Sequence, residues 1–543
     1  MVKKIWQTLM AHKLLAVLLT AALVRFSFLG SVPIALNWDE VSMGYTSYSL
    51  MKTGADEWGE KLPLFFRSYG EWKSAVYVYL LIPFIKVLGL NAWAVRLPSA
   101  IAGVLAVYLT YLIGRKLYSE RVGLWASLFL AVSPWHMMLS RPGFEASVAL
   151  TLTLAGLYFF LEYSTKKWWP LIASAVAFGL APHTYNSAKL VVPLLVIYLI
   201  WKTRLYRQFK HVLIFLGILA VFAAPILTGL ATGRSQARFS QVSVNTDTKA
   251  LESFYLARRT FPLGETAGKL VFNQATYFLY KVSDNWLSYF SPAFLVTSGG
   301  DHNQHSMPYH GVLYLVEFGA LLLGFSQLKK SNHELKYVPL ALIALGIIPA
   351  AMTREPFHVL RTILTLPGWQ LIAGLGMVYL HDAKWSCLKL IKWLLALEVI
   401  AFVFMYFCWY PRYTASDWQY GYKEVAQYLK DHGSEYDKFV MTKWYGEPQL
   451  FLAFYNQWDP VIYQKNNADN RRYESEDKLW LDQLEVYSVG DYTFKYLNWG
   501  EEDRFPRTLF IGKIDDFWPT GVPLHTIYYP DGTVAFHLVK GDK

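Results

Sequence analysis

The sequence predicts a mostly helical protein that crosses a membrane many times and ends in a small α/β domain. Three observations carry this. The 543 residues are 54% hydrophobic and only 17% charged, too apolar for a soluble chain of this length. Apolar runs such as "LLAVLLTAALVRFSFLG" and "WLLALEVIAFVFMYFCWY" recur at lengths of about 16–22 residues, enough for a transmembrane helix. From residue 410 onward the chain turns charged and turn-rich.

The first helix is expected at 14–31, interrupted by Arg25, behind the basic "MVKKIWQTLMAHK". With no small-residue cleavage site behind it, this reads as an uncleaved anchor with its N-terminus in the cytoplasm. The run 74–90, "SAVYVYLLIPFIKVLGL", decides the topology. If it spans, later basic loops fall outside and inside in the wrong order. If it lies on the outer surface, "GRKLYSER", "EYSTKKWW", "WKTRLYRQFKH", "SQLKKSNHELK" and "HDAKWSCLK" all face the cytoplasm. Pro83 and Lys86 suit a surface helix.

Spans then follow at 96–114, 122–139, 146–163, 168–182, 187–201, 211–228, 311–327, 337–352, 359–380 and 386–408, about eleven transmembrane helices in all. The expected organisation is a membrane domain, 1–409, with extracytoplasmic loops 32–95 and 229–310, and a soluble extracytoplasmic domain, 410–543. In the latter, "GYKEVAQYLKDH" reads as a helix, and "KFVMTKW", "TLFIGKI" and "VAFHLVKG" read as strands, with a turn at "YPDGT". The net charge of +11 sits in short loops between apolar runs, so it reports topology and not nucleic acid. Cys387 and Cys408 lie near opposite ends of one run, roughly 30 Å apart on a helix, which excludes a disulfide between them.

This topology gathers polar residues on the outer side. Asp39 and Glu40 follow the first helix in "LNWDEVSMGYTSYSL"; Arg141 and Glu145 stand in "SRPGFEA". Tyr185 and Lys189 belong to "PHTYNSAK", His302 to "SGGDHNQHSMPYHG", and His358 and Arg361 to "TREPFHVLR". Ionisable groups at membrane depth are costly and mark functional positions. Acids there can activate an acceptor hydroxyl, and cations can hold a departing phosphate. That chemistry suits a sugar carried on a polyprenyl phosphate. Each residue also has a plainer reading. Asp39, Glu40 and Glu145 can cap helices, and His358 and Arg361 can reach to the membrane interface. "DHNQH" raises a divalent metal as possible, through Asp301, His302 and His305, but no cofactor follows from the sequence.

"NWDE" after the first helix resembles the first-loop motif of GT-C class glycosyltransferases. "NAWAVRLPSAIAGVLAVYLTYLIGRKLYSERVGLWASLFLAVSPWHMMLSRPGFEASVAL", 91–150, is similar to bacterial protein O-mannosyltransferases and lipid A aminoarabinose transferases. "PFHVLRTILTLPGWQLIAG" resembles their late His/Arg segment. The resemblance implies a multi-pass protein of the cytoplasmic membrane. It implies inverting transfer of a sugar from a polyprenyl-phosphate donor to a protein, glycan or lipid acceptor on the extracytoplasmic face. It also implies Asp39 as the acceptor base, with Glu40 beside it, and Glu145 as a second acid oriented by Arg141. Arg361, Lys189, His358, Tyr185 and His302 would contact substrate. Lys189 stands where relatives commonly carry Arg, and repeats of the eukaryotic mannosyltransferases are missing. "DWQYGYKEVAQYLK" partly matches an oligosaccharyltransferase element, with Gln419 in place of Asp. Transfer of a whole lipid-linked glycan is therefore one alternative, and a membrane lipid or sugar transporter is another.

Overall fold

The computed structural model describes residues 2–233, 237–502 and 504–542. By packing, the chain forms two compact units. One comprises residues 1–25, 100–140 and 145–403; the other comprises 26–99, 141–144 and 404–543. Residues 404–543 group by packing with two earlier segments.

The first unit is helical. Among the described residues, four helices are long and apolar enough to cross a membrane: Ala92–Leu117, Glu145–Glu162, Phe209–Ala231 and Leu388–Tyr413. A fifth span is possible if the bent pair Glu120–Val132 and Pro134–Ser140 is taken as one. The sequence suggested an unbroken helix over 122–139. The pair is instead bent by 58°. Pro134 has no N–H to continue the hydrogen-bond ladder, so it opens a new helix. Arg25 accounts for the bend's stability. Its guanidinium donates to the carbonyls of Leu130 (3.2 Å) and Ala131 (2.8 Å), the last turn before the break, and to Ser140 Oγ (3.1 Å). A buried arginine at helix-end carbonyls satisfies groups that the helix ladder itself leaves unbonded.

The expected span 359–380 is also broken, into a 3-10 segment Leu360–Thr365 and a helix Gly368–Asp382, at Pro367. Several other expected spans are shorter than drawn, among them Trp169–Leu180, Leu315–Gln327 and Val338–Ala351. The long segment 229–310, expected as a loop, carries the helices Ala237–Val242, Thr248–Leu256, Glu265–Val271 and Gln274–Ser288.

Helix Gly368–Asp382 packs against both Leu315–Gln327 and Glu120–Val132. The contact with Leu315–Gln327 is made backbone to backbone. A Cβ at Gly324 would collide with the carbonyl of Ile372, and one at Gly376 with that of Ala320. Small residues let apolar helices approach where hydrophobic burial gives no preference over lipid.

In the second unit the helix Trp38–Thr53 is flanked by a hairpin of β1 (Phe65–Arg67) and β2 (Trp72–Ser74) and by the helix Ala75–Leu88. The latter has 14 residues and contains Pro83. At roughly 1.5 Å per residue it is too short for the ~30 Å of a hydrocarbon core. The C-terminal part forms a six-stranded sheet. Its strands are β3 (Lys438–Thr442), β4 (Val486–Val489), β5 (Tyr492–Lys495), β6 (Thr508–Gly512), β7 (His525–Tyr528) and β8 (Val534–Lys540), in the order β4-β5-β3-β6-β8-β7. β3 is parallel to β5 and β6, and the outer pairings are antiparallel. The three strands and the helix Tyr422–His432 read from the sequence are all present. On one face Leu497, Trp499, Phe510, Phe517 and Val539 form a buried core. Helices Pro448–Tyr455 and Pro460–Asn467 pack against Trp38–Thr53.

Replacing Gly376 by Val should separate two helix backbones that now touch, at about 1–3 kcal/mol for such overpacking. The expected outcome is a lower melting temperature of the detergent-solubilised chain; Gly319→Val, at a position with nothing near its Cβ direction, should leave it unchanged.

Candidate active site

Asp39 and Glu40 occupy the first turn of helix Trp38–Thr53, and the helix start dictates their different fates. Asn37 is the N-cap: its side chain accepts from Glu40 N–H (2.9 Å), and the Glu40 carboxylate accepts from Asn37 N–H (3.1 Å). This reciprocal box fixes Glu40 inward. Arg96 then closes a two-pronged ion pair on it, Nε to Oε1 at 2.8 Å and Nη2 to Oε2 at 3.2 Å, and Gly143 N–H donates to Oε1 at 2.8 Å. Both side chains are fully buried. The rest of the Arg96 guanidinium donates to the carbonyls of Leu29, Pro33 and Ala35. Glu40 therefore has both oxygens engaged, and it ties residues 29–37, Arg96 and Gly143 into one knot.

Asp39, its neighbour, points elsewhere, because adjacent residues on a helix diverge. Its carboxylate is about one-third exposed and meets Lys73 Nζ at 2.6 Å. Lys73 sits in β2, largely buried, and lies over the ring of Tyr69. Tyr69 stacks on Trp38 and donates to its carbonyl at 2.9 Å. The sequence reading did not find Lys73. A cation directly before the apolar run 74–90, in the same loop as Asp39, was the available signal. Gln419, noted for its place in the partial motif, braces the same helix start. Its Oε1 accepts from Trp38 N–H at 2.8 Å.

Around Lys73 stands a group of buried acids. Burial, then the neighbouring Asp56, pushes the Glu57 carboxyl up to about 8. Burial followed by Asp482 holds Glu447 well above the usual carboxylate range, and burial raises Asp482 as well. Lys73 opposes the rise at Glu57 and Glu447. Glu57 and Glu447 line a cavity with Ser42, Trp58, Arg67 and Tyr463. Aromatic rings beside carboxyls are the groups that stack on and hydrogen-bond a sugar.

Arg141 is fully buried and donates to the carbonyls of Ser27 (2.8 Å) and Val32 (3.0 Å), with its guanidinium over the rings of Tyr406 and Phe407. It is thus held by backbone carbonyls and aromatic rings.

The remaining candidates belong to the helical unit. Glu145 opens helix Glu145–Glu162 and is half-buried. Lys189 lies in the first turn of helix Ala188–Lys202, and its Nζ donates to Asn186 Oδ1 at 2.7 Å; Tyr185 is buried. His302, His358 and Arg361 are brought together. Arg361 Nη1 donates to Thr353 Oγ1 at 2.8 Å and meets Glu355 Oε2 at 3.3 Å. His302 Nε2 lies 3.6 Å from the same Glu355 oxygen. The rings of His302, His305 and His358 stand 5.0–5.6 Å apart. Burial, then the charges of His302 and Arg361, pushes the His305 imidazole down to about 3. Glu355 was in the quoted motif but was not singled out as a site residue.

Two results follow from the buried pairs. Arg96→Met leaves the Glu40 charge buried without its partner, which costs about 3–5 kcal/mol. The purified variant should melt well below wild type. Glu57 binds its proton more tightly when folded than the ordinary carboxyl does, so the folded chain holds the extra proton between pH 4.5 and about 8. Stability therefore falls as pH rises through that window, by on the order of a few kcal/mol. Glu57→Gln should flatten this part of the profile, measured as melting temperature between pH 5 and 9.

Residues 73–228 match the family described as dolichyl-phosphate-mannose-protein mannosyltransferase. A comparison with curated proteins by sequence found no match. Among solved structures, ArnT from Cupriavidus metallidurans in the apo state is 14% identical, with a TM-score of 0.55 over the whole of both chains. The same protein bound to undecaprenyl phosphate gives 13% and 0.52, over 99% of each. The archaeal oligosaccharyltransferase AglB from Archaeoglobus fulgidus is 13% identical at a TM-score of 0.47; 83% of this chain covers 64% of its length. The chain thus shares its fold with the Cupriavidus ArnT structures, and residues 73–228 are similar to the mannosyltransferase family.

Proposed function

We propose that the chain transfers a sugar from a polyprenyl-phosphate carrier to an acceptor hydroxyl or amine, with inversion. The observation that carries this is the Asp39–Lys73 pair, a partly open carboxylate held by a cation on a helix start that cannot shift. Asp39 takes the acceptor proton. The acceptor atom forms its bond to the anomeric carbon from the face opposite the carrier. The bond from that carbon to the phosphate oxygen breaks, and polyprenyl phosphate leaves with the electron pair. A departing phosphate needs positive charge and no proton, which is the role of Arg361 and Lys189. Tyr185, His358 and His302 accompany these cations as substrate contacts. Glu145 serves as the supporting acid. Glu40 and Arg141 act through the backbone they hold, as positioning residues.

The donor class is supported by the matched family's description and by the undecaprenyl phosphate bound to the Cupriavidus transferase. The acceptor is a protein, a glycan or a lipid. About eleven spans, a cytoplasmic N-terminus and an extracytoplasmic sheet domain complete the reading. The consistent basic loops support this topology, as does the shortness of Ala75–Leu88. On it, the domains are the membrane catalytic part, 1–409, and the outer part, 410–543.

The test uses the purified full chain in detergent with radiolabelled polyprenyl-phosphate hexoses and an envelope extract as acceptor. Removing the base should lower transfer by about 10²–10⁴-fold in Asp39→Asn. The variant should keep the wild-type melting profile, since Asp39 is outside the buried knot. Lys73→Met should lower transfer as well. Equal transfer by Asp39→Asn and wild type would remove Asp39 from the reaction.

A further inference from the structure

Among the described residues, one set of three metal-binding side chains offers ligand atoms that all lie within 4.8 Å of one another: His302, Glu355 and His358. We propose that these three residues bind a divalent metal of the zinc class, with His305 as a further imidazole at the same place.

Four observations carry it. The first is the donor set. Two imidazoles and one carboxylate are a ligand combination of zinc sites that leave a coordination position open, whereas magnesium and calcium take oxygen ligands. The second is convergence from two loops. His302 and His305 come from the segment before helix Leu315–Gln327, and Glu355 and His358 from the segment before Leu360–Thr365. The third is that the two loops are pressed together at this point. A Cβ at Gly300 would run into the carbonyl of Phe357, and Phe357 itself holds a left-handed backbone with φ of 58°. An aromatic residue in that region is strained, and such strain is found where a site is held in advance. His358 follows directly, buried, with its N–H donating to Tyr289 Oη at 3.0 Å.

The fourth observation is the outer support. Arg361 reaches Glu355 Oε2 at 3.3 Å while anchored on Thr353, so the carboxylate is oriented from behind. Metal ligands are commonly fixed by such partners. His302 and Glu355 are about half exposed, so an ion can reach them, while His358 is buried. A rival occupant is an anion held by Arg361 and the imidazoles, but Glu355, at the centre of the set, repels it. Any use of the metal to hold a donor phosphate rests on the proposed transfer; the site itself does not.

The experiment counts metal and needs no activity. The full chain, carrying an affinity tag without histidines, is stripped with chelator, dialysed against micromolar zinc and analysed by elemental mass spectrometry. Wild type should retain about one zinc per chain, as a three-ligand site predicts. His302→Ala and Glu355→Gln should each lower retention at least about fivefold, since every ligand contributes to such a site. Both residues are exposed, so these variants keep their fold, checked by melting profile. His381→Ala, at an exposed histidine outside the set, should retain zinc. Cobalt(II) gives a second readout: visible ligand-field bands in wild type that Glu355→Gln shifts or abolishes. Retention of phosphate in place of zinc would overturn the proposal, as would zinc near zero in wild type. Zinc unchanged in both ligand variants would overturn it too.

Discussion

The helix start at residues 37–40 depends on one buried ion pair, Glu40 with Arg96. Two charges with no exposure are costly to desolvate. Here the cost is offset by saturation: the carboxylate accepts from Arg96, Asn37 N–H and Gly143 N–H, and the guanidinium donates also to three carbonyls. Everything nearby inherits its place from this knot. It sets the direction of the helix, and the direction sets where Asp39 emerges. The proposed role of Asp39 as base calls for an acid that is partly wet and yet immobile. Placing it next to a fully engaged acid, on a rigid first turn, satisfies both requirements.

The pair Asp39–Lys73 has the opposite character. Lys73 is largely buried, but Asp39 keeps a third of its side chain open. Lys73 also faces the field of Glu57 and Glu447, two carboxyls that burial drives toward the neutral form. If all of these acids were ionised, one ammonium could not balance them. Burial favours the neutral form of Glu57 and Glu447, and Asp39, a third exposed, is the acid that Lys73 touches. This division of roles between like groups by environment is how neighbouring carboxyls acquire different chemistry.

Much of this was legible in the sequence, and the unread part has a physical reason. The C-terminal helix and strands came out because alternation and turn residues are local signals, and each segment was bounded by them. The capping position of Glu40 was readable in "NWDE" for the same reason. Arg96 was not, since its partner is 56 positions away and its own run looks like any apolar helix. Lys73 was missed because it borders an apolar stretch and reads as an end charge. Helix breaks at Pro134 and Pro367 were smoothed over by hydropathy, which averages across a window. Arg25 looked like a flaw in the first helix, and the bend that it satisfies is invisible until the two segments are packed.

The arginines separate into two groups on one criterion, whether backbone carbonyls occupy the guanidinium. Arg25, Arg96 and Arg141 are all fully buried, and each donates to carbonyls freed by a helix end or an irregular segment. In an apolar surrounding those carbonyls need a donor, and a guanidinium with five N–H groups supplies several at once. Such an arginine is part of the scaffold even when its sequence neighbours suggest a site. Arg361 and Lys73 differ. Each pairs with an acid that is itself partly exposed, Glu355 and Asp39, so its counter-ion faces solvent and can be exchanged for a ligand. All five cations are at most 9% exposed, so their own burial says little about the difference. What separates the two groups is the exposure of the partner, and on the proposed reading Asp39–Lys73 and Arg361–Glu355 are the pairs open to substrate.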